Sequence, residues 1–425
     1  MNNNTINEWL KYAPTAPNLP VGKKWHVFLS YRSVHRPWVL SFYDILIGLG
    51  YKVFVDQFVL RSNDNLTLAL QSALDDSMSG ILIWSSKTKD SEWCQKEFTT
   101  MDKKATEGGF HYGVAKLDNV ILPSFASQKL YADFSNYSDG PQGSGLLRLL
   151  YGIVNKPLSN EAIRFGSKVD EDIRSFTHQI NSSRDSGNIV NLIELSKNTS
   201  VAWKSTPVLG CEVAESLLKL ENYDKAIDVI NRLILTFPKA VRPKQLKGLA
   251  LARKGETEEA QQILGELEAE GNRDPETLGI LARTWMDRYN KTGKINFLRK
   301  SRNLYQLAFE HTPSDYYVGI NAAAKSVLLG ETELADKIAI DLEQIVGTEA
   351  HEGNYWETAT TAEVQLIRKK FKEAAKLYQA AVDIAPLETG SHKTTWKQAR
   401  LLLNHLKASD EDIKRIETVF SDISL

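Results

Sequence analysis

The sequence predicts an α/β domain followed by an all-α repeat array, and three observations carry that prediction. Between Val21 and about Pro157, short apolar runs alternate with helical patterns, as in a parallel sheet covered on both faces. After Pro157 the strand signal disappears and helical periodicity takes over, interrupted by Pro and short polar turns. The length, 425 residues, gives room for two or three domains at roughly 100 to 200 residues each.

The strand candidates are Trp25 to Ser30 (WHVFLS), Tyr51 to Val55 (YKVFV), Gly80 to Trp84 (GILIW), Tyr112 to Leu117 (YGVAKL) and Tyr131 to Phe134 (YADF). Pro37 to Gly48 and Leu66 to Asp76 have the length of crossover helices, the first opening with Pro at an N1 position. Five such strands in order suggest a flavodoxin-like parallel sheet, whose ligands bind outside the C-terminal strand ends. Those ends are Ser30-Tyr31-Arg32-Ser33, Asp56-Gln57-Phe58 and Ser85-Ser86, so a site is expected there.

In the second half, five segments share one frame, with small residues Ala226, Ala260, Ser301, Ala335 and Ala374 spaced 34, 41, 34 and 39 apart. Pro238, Pro313 and Pro386 each follow a small position by 12 residues, and Ala214, Gly248, Ala323 and Ala362 precede one by 12. Small residues at both places let paired antiparallel helices approach closely, and the Pro ends the second helix. The frame resembles the tetratricopeptide family, with the Trp and several large consensus positions missing. The expected organisation is an N-terminal extension at 1–22, the α/β domain at 23–157, a helical connector or degenerate repeat at 158–207, and a repeat solenoid with a C-terminal cap at 208–425.

Composition narrows the classes of partner. With 42% hydrophobic and 25% charged residues the chain sits at the globular average, which excludes a disordered or collagen-like polymer. The balance of 52 Lys plus Arg against 53 Asp plus Glu gives little electrostatic drive toward nucleic acid. No run approaches the ~18 apolar residues of a membrane helix, and the polar start Met1-Asn2-Asn3-Asn4 lacks the apolar core of a signal peptide. Two cysteines, Cys94 and Cys211, make no disulfide framework, so a cytoplasmic location is expected. Scattered His without H-x-x-x-H or C-x-x-C spacing argue against a metal site.

Four motifs stand in order at the strand ends: His26-Val27-Phe28-Leu29-Ser30-Tyr31-Arg32-Ser33, then Val55-Asp56, then Ser91-Glu92-Trp93-Cys94-Gln95-Lys96-Glu97-Phe98, then Asp133-Phe134-Ser135. Over about residues 24 to 155 they resemble a Toll/interleukin-1 receptor (TIR) domain of the bacterial kind. TIR domains of the plant, bacterial and axon-degeneration classes are NAD⁺ glycohydrolases whose catalytic Glu lies in the W-x-x-x-E segment, here Trp93 to Glu97. Others, including many animal receptor adaptors, are assembly modules only. The resemblance therefore implies either an NAD⁺-cleaving prokaryotic immune or antiphage effector, controlled by its repeats, or a noncatalytic signalling scaffold. It also implies self-association through the TIR domain and a protein or small-molecule activator on the repeats, with NAD⁺ as substrate and no cofactor.

The chemistry asks little of the protein. Breaking the N-glycosidic bond of NAD⁺ expels neutral nicotinamide from a pyridinium, so no general acid is needed, and one carboxylate can stabilise the oxocarbenium-like transition state. Glu97 is the expected catalytic group. On a helix it shares a face with Trp93, four residues earlier, which offers a ring for stacking. Arg32 is suited to a diphosphate or ribose oxygen, and Tyr31, Ser33, Phe54 and Asp56 complete the expected substrate-binding set. For Phe54 strand alternation also predicts a place in the core. The loop after strand two carries Ser62-Asn63 where related sequences often have Pro-Gly. Gly140 to Gly145 is glycine-rich but is not G-x-G-x-x-G and follows no first strand, so it reads as a loop before the domain's last helix. Cys94 has no His near it in sequence and reads as a buried thiol.

Overall fold

The computed structural model describes residues 8–9, 11–55, 66–89, 91–122, 131–135 and 140–421. The chain divides into two compact units, Met1–Asn272 and Arg273–Leu425.

The first unit opens with β1 (Trp25–Ser30), α1 (Arg36–Gly48), β2 (Val53–Phe54), α2 (Leu66–Asp75), β3 (Ser77–Trp84), α3 (Glu92–Glu107), β4 (His111–Lys116), β5 (Tyr131–Asp133) and α4 (Gly143–Ile153). The strands pair in parallel in the order β2-β1-β3-β4-β5, the flavodoxin-like topology. Each strand alternates between two apolar layers. Val27, Leu29, Ile81 and Ile83 meet Trp38, Phe42 and Ile45 of α1 and Leu146 and Leu150 of α4. Phe28, Phe54, Leu82 and Trp84 meet Leu70 and Leu74 of α2 and Phe98 and Met101 of α3. Strand β3 starts three residues before the predicted Gly80. Its added residues include Ser77 and Ser79, buried because their hydroxyls donate to the Ala73 and His26 carbonyls at 2.7 Å each. Locally satisfied hydroxyls hide a strand start from a hydrophobicity reading.

The unit continues through α5 (Asn160–Asp185), α6 (Ile189–Leu195), α7 (Val201–Lys204), α8 (Val208–Lys219), α9 (Tyr223–Thr236), α10 (Val241–Lys254) and α11 (Thr257–Ala269). One uninterrupted apolar cluster runs from the sheet through Leu147, Val169, Ile173, Val213 and Leu217 to Ala250. The segment 158–207 therefore packs on both sides of itself, α5 against α4 and against α8.

The second unit comprises α12 (Pro275–Thr292), α13 (Ile295–His311), α14 (Tyr316–Leu328), α15 (Thr332–Val346), α16 (Tyr355–Ile367), α17 (Phe371–Ile384), α18 (Thr389–His405) and α19 (Asp410–Val419) around a core of its own. In both units consecutive helices pair, α8 with α9, α10 with α11, α12 with α13, α14 with α15 and α16 with α17. The small positions read from the sequence lie at these contacts: Ala226, Ala260, Ser301, Ala335 and Ala374 are at most 1% exposed. A Cβ on Gly248 would stand 2.6 Å from Leu264 Cγ, so only glycine fits there. The 41-residue spacing arises because α12 and α13 are 18 and 17 residues long, and the 39-residue spacing from the long turn 347–354 between α15 and α16.

The first helix of nearly every pair ends the same way. At Glu221, Gly255, Gly330, Lys369 and Lys407 the backbone turns left-handed, with φ of 57°, 92°, 76°, 61° and 55°. In each case the next residue's N–H reaches back to a carbonyl five residues earlier, the Schellman closure. Gly187, between α5 and α6, closes identically.

Candidate active site

Ser30, the last residue of β1, lies on the α3 side of the sheet and is 1% exposed. Helix α3 is N-capped by Ser91, whose side chain accepts the N–H of Cys94. Cys94, Phe98 and Met101 form its buried stripe. Glu97 borders that stripe, so its carboxylate is delivered to the end of β1, where Ser30 Oγ donates a hydrogen to Glu97 Oε2 at 2.5 Å. This is the length of a charge-assisted O–H···O⁻ bond.

The neighbouring strand ends are tied into the same edge. Arg32 Nη1 donates to the Lys87 carbonyl at 2.7 Å. His35, in the short 3₁₀ turn Ser33–His35, pairs through Nε2 with Ser85 Oγ at 2.6 Å. Burial, then the charges of Lys87 and Arg32 against the opposing pull of Asp118, push the imidazole down to about 4. It is neutral at physiological pH. Ser86 donates its N–H and hydroxyl to Asp118, the hydroxyl at 2.6 Å. Burial raises the Asp118 carboxyl, but these bonds and the Val120 N–H outweigh it and hold the group below its usual range. Burial pushes the Cys94 thiol up to about 11, with Glu97 raising it further against Ser91 and Arg32. Protonated at neutral pH, the thiol lacks the thiolate a nucleophile needs.

The structure thus brings the expected residues Glu97 and Arg32 to the same strand ends, beside Cys94, and turns two others, Tyr31 and Phe54, elsewhere. Tyr31 packs its ring on the α1 side of the sheet, its hydroxyl 3.5 Å from Arg36 Nε. Phe54 is 1% exposed and stacked on Phe28 with centroids 5.2 Å apart, so its ring belongs to the core, the second role alternation predicted. Trp93 and Ser33 contribute backbone to α3 and the 3₁₀ turn, and their side chains lie outside the described residues. Asp56 and the Ser62-Asn63 loop lie outside them altogether. Sequence reasoning placed Ser30 at a strand end where a site was expected but gave it no role, and it missed His35. The available signal was a buried serine closing an apolar strand, and a His in the turn following it.

Residues 27–150 match the family model of the TIR domain, and residues 222–329 match that of tetratricopeptide repeats of the sensor type. No curated protein matches the chain. Similar solved structures include a thermophilic tetratricopeptide protein from Thermus thermophilus, 16% identical over 44% of this chain and 96% of that one with a TM-score of 0.37. Another, a tetratricopeptide repeat protein from Parabacteroides merdae, is 12% identical over 51% of this chain and 79% of that one with a TM-score of 0.35. The α/β half is a TIR domain, and the helices after it form a tetratricopeptide-like solenoid. Together they define a TIR-based signalling or effector protein, built from two modules that commonly mediate self-association and protein contacts. Among the described residues no helix is long and apolar enough to cross a membrane, and no cluster of three or more His, Cys, Asp or Glu is placed to hold a metal.

Proposed function

We propose that the protein is an NAD⁺ glycohydrolase with Glu97 as its catalytic carboxylate, acting as a prokaryotic immune effector whose activity is controlled by the repeats. The observation that supports this reading is the Ser30–Glu97 hydrogen bond. It fixes a carboxylate at the C-terminal end of β1, where parallel sheets bind nucleotides. In the reaction the C1′–N bond breaks with its electron pair leaving on nicotinamide, which becomes neutral. Water then attacks C1′ and loses a proton, giving ADP-ribose. Attack by an adenine nitrogen instead gives the cyclic product. Glu97 stabilises positive charge as it develops on the ribose, an interaction stronger in the transition state than in the ground state. Ser30 orients it. Arg32 is the proposed contact for the diphosphate, and Trp93, Ser33 and Asp56 form the proposed surround, while Tyr31, turned to the α1 side of the sheet, is left out of it.

The domains divide the work, 23–157 carrying the chemistry and 208–425 receiving a protein or small-molecule activator. Self-association of TIR domains completes the pocket, so specific activity rises with protein concentration. The deciding measurement is nicotinamide release by activated full-length protein, wild type against Glu97→Ala. Activity in the wild type lost in a folded Glu97→Ala chain supports the enzyme. Activity retained in that variant rejects Glu97, and none in the activated wild type leaves the noncatalytic scaffold.

A further inference from the structure

Helix α1 is held at its first residue, Arg36, and about two turns further on, at Asp44, by the α10–α11 pair within the first unit. Arg36 and Asp44 lie eight residues apart on α1 and so project from one face. Asp44 Oδ2 accepts the N–H of Lys239 at 3.0 Å, and the carboxylate also accepts the N–H of Ala240. Ala240 is the N-cap residue of α10, and that helix has no side-chain cap of its own. Arg36 Nη1 donates to the carbonyl of Gly271, at the C-terminal end of α11. A single TIR helix thereby offers an anion to one helix N-terminus and a cation to another's C-terminus, each matching the helix dipole. Gly271 has φ of 88°, and a Cβ there would lie 3.1 Å from the guanidinium. Burial at this contact pushes the Asp44 carboxyl up to about 6 despite its two backbone donors.

The N-terminus of α1 continues directly into the strand-end cluster. Arg36 follows His35, bonded to Ser85, and stands four residues after Arg32, whose Nη1 donates to the Lys87 carbonyl. No other helix joins that cluster and the α10–α11 ends in one rigid element among the described residues of this unit.

We infer that the α10–α11 ends are a docking surface for α1 and that docking holds the site in its resting state. While Asp44 and Arg36 are engaged, the Ser33–His35 turn keeps Arg32 against Lys87. When a ligand or partner on the repeats shifts α10 against α11, α1 is released, the turn loosens and Arg32 becomes available to the substrate's diphosphate. The surface recognises an amphoteric helix face by its two opposed helix ends, and its occupant is this chain's own α1. The inference rests on the NAD⁺ reading for its consequence, while the coupling is a property of the fold.

The test uses full-length chains carrying Asp44→Arg, Lys239→Asp or Asp44→Asn. The first sets a cation against the α10 N-terminus, the second repels Asp44 from the repeat side, and the third keeps an acceptor. Amide hydrogen exchange is followed in 36–48, 31–35 and 85–89, together with nicotinamide release without an activator. The two disruptive variants should exchange about tenfold faster in all three segments and release nicotinamide about tenfold faster, while Asp44→Asn stays near wild type. Faster exchange confined to 36–48, or none anywhere, overturns the coupling. Coupled exchange with faster release is the expected result. Coupled exchange with no release from any chain, activated or not, upholds the docking surface and rejects the NAD⁺ reading.

Discussion

Asp170 of α5 accepts the N–H of Ser144, the second residue of α4, at 2.9 Å, and a Cβ on Gly143 would fall 1.7 Å from its Oδ1. A helix beyond residue 157 thus caps the last helix of the TIR domain. Gly143, with φ of 60°, is held to glycine twice over, by backbone angle and by space. Asp170→Ala should cost about 1 kcal/mol and Gly143→Ala more, read as a fall in melting temperature of the full chain. A chain ending near 157 also loses the cover that Val169 and Ile173 give the shared core. It should be poorly soluble or melt far below the whole protein. A truncated chain with an unchanged melting temperature would refute the shared core.

Ser30→Ala removes the donor that orients Glu97 and leaves a methyl group in a buried site. The loss should appear in kcat of nicotinamide release, about tenfold to a hundredfold, with KM little changed. Ser30→Thr, which retains a hydroxyl, should recover part of it. Glu97→Gln should lose nearly all turnover with the melting temperature kept within a few degrees. Equal kcat in Ser30→Ala and wild type would show that the hydrogen bond is structural only.

What the sequence made legible follows from which interactions are periodic. The sheet was readable because aliphatic runs such as Gly80 to Trp84 are buried on both faces, and the helix pairs because Ala226 and its equivalents recur at contact points. Glu97 was legible only as part of the W-x-x-x-E segment, since an isolated Glu on a helix has no distinguishing pattern. Ser30 and His35 act through single long-range hydrogen bonds, which leave no periodic trace. The contacts of Asp44 and Arg36 with the ends of α10 and α11 use backbone atoms as partners, so no residue type on the repeat side announces them.

The neutral imidazole of His35 sets an acid limit. Its folded value of about 4 lies below the ordinary imidazole value of 6.5, so the folded state binds fewer protons than the unfolded chain. Stability is therefore complete above about 6.5 and declines as pH falls toward 4, by at most about 3 kcal/mol for a group that keeps some contact with solvent. Denaturant midpoints between pH 7 and 4.5 should fall for wild type and fall less for His35→Gln. Parallel slopes for the two chains would place the acid sensitivity elsewhere.

Glu221, Lys369 and Lys407 occupy left-handed turns that Gly255 and Gly330 fill in equivalent positions. A side chain costs roughly 1 kcal/mol in that conformation. Glycine removes the strain but adds about 0.4 to 1 kcal/mol of freedom to the unfolded chain, so each substitution to Gly should stabilise by at most about 0.5 kcal/mol. The three together should raise the melting temperature by a few degrees. A lower melting temperature for every single variant would show that the side chains contribute contacts worth more than the strain.

Lys325 of α14 is 7% exposed, with its ammonium donating to Asn321 Oδ1 at 2.5 Å and lying 5.2 Å from the Tyr305 ring. The opposing acidic group, Glu363 of α16, accepts a hydrogen bond from Gln398 at 3.1 Å and forms no ion pair with Lys325 among the described residues. Burial, only partly offset by Glu363, pushes Lys325 down to about 8 from 10.5. The folded repeats thus bind this proton less tightly than the unfolded chain does. The penalty is full below about 8 and is relieved as pH rises toward 10.5, a gain of at most about 3 kcal/mol. Tyr305 and Tyr378, raised well above 10 by burial, stay protonated and do not oppose it. Hydrogen exchange across 316–405, corrected for its intrinsic pH dependence, should show greater protection at pH 9.5 than at pH 7.5. Lys325→Met, which keeps the length and removes the charge, should be at least as protected at pH 7.5 and show no alkaline gain. An alkaline gain of the same size in Lys325→Met would assign it to another group.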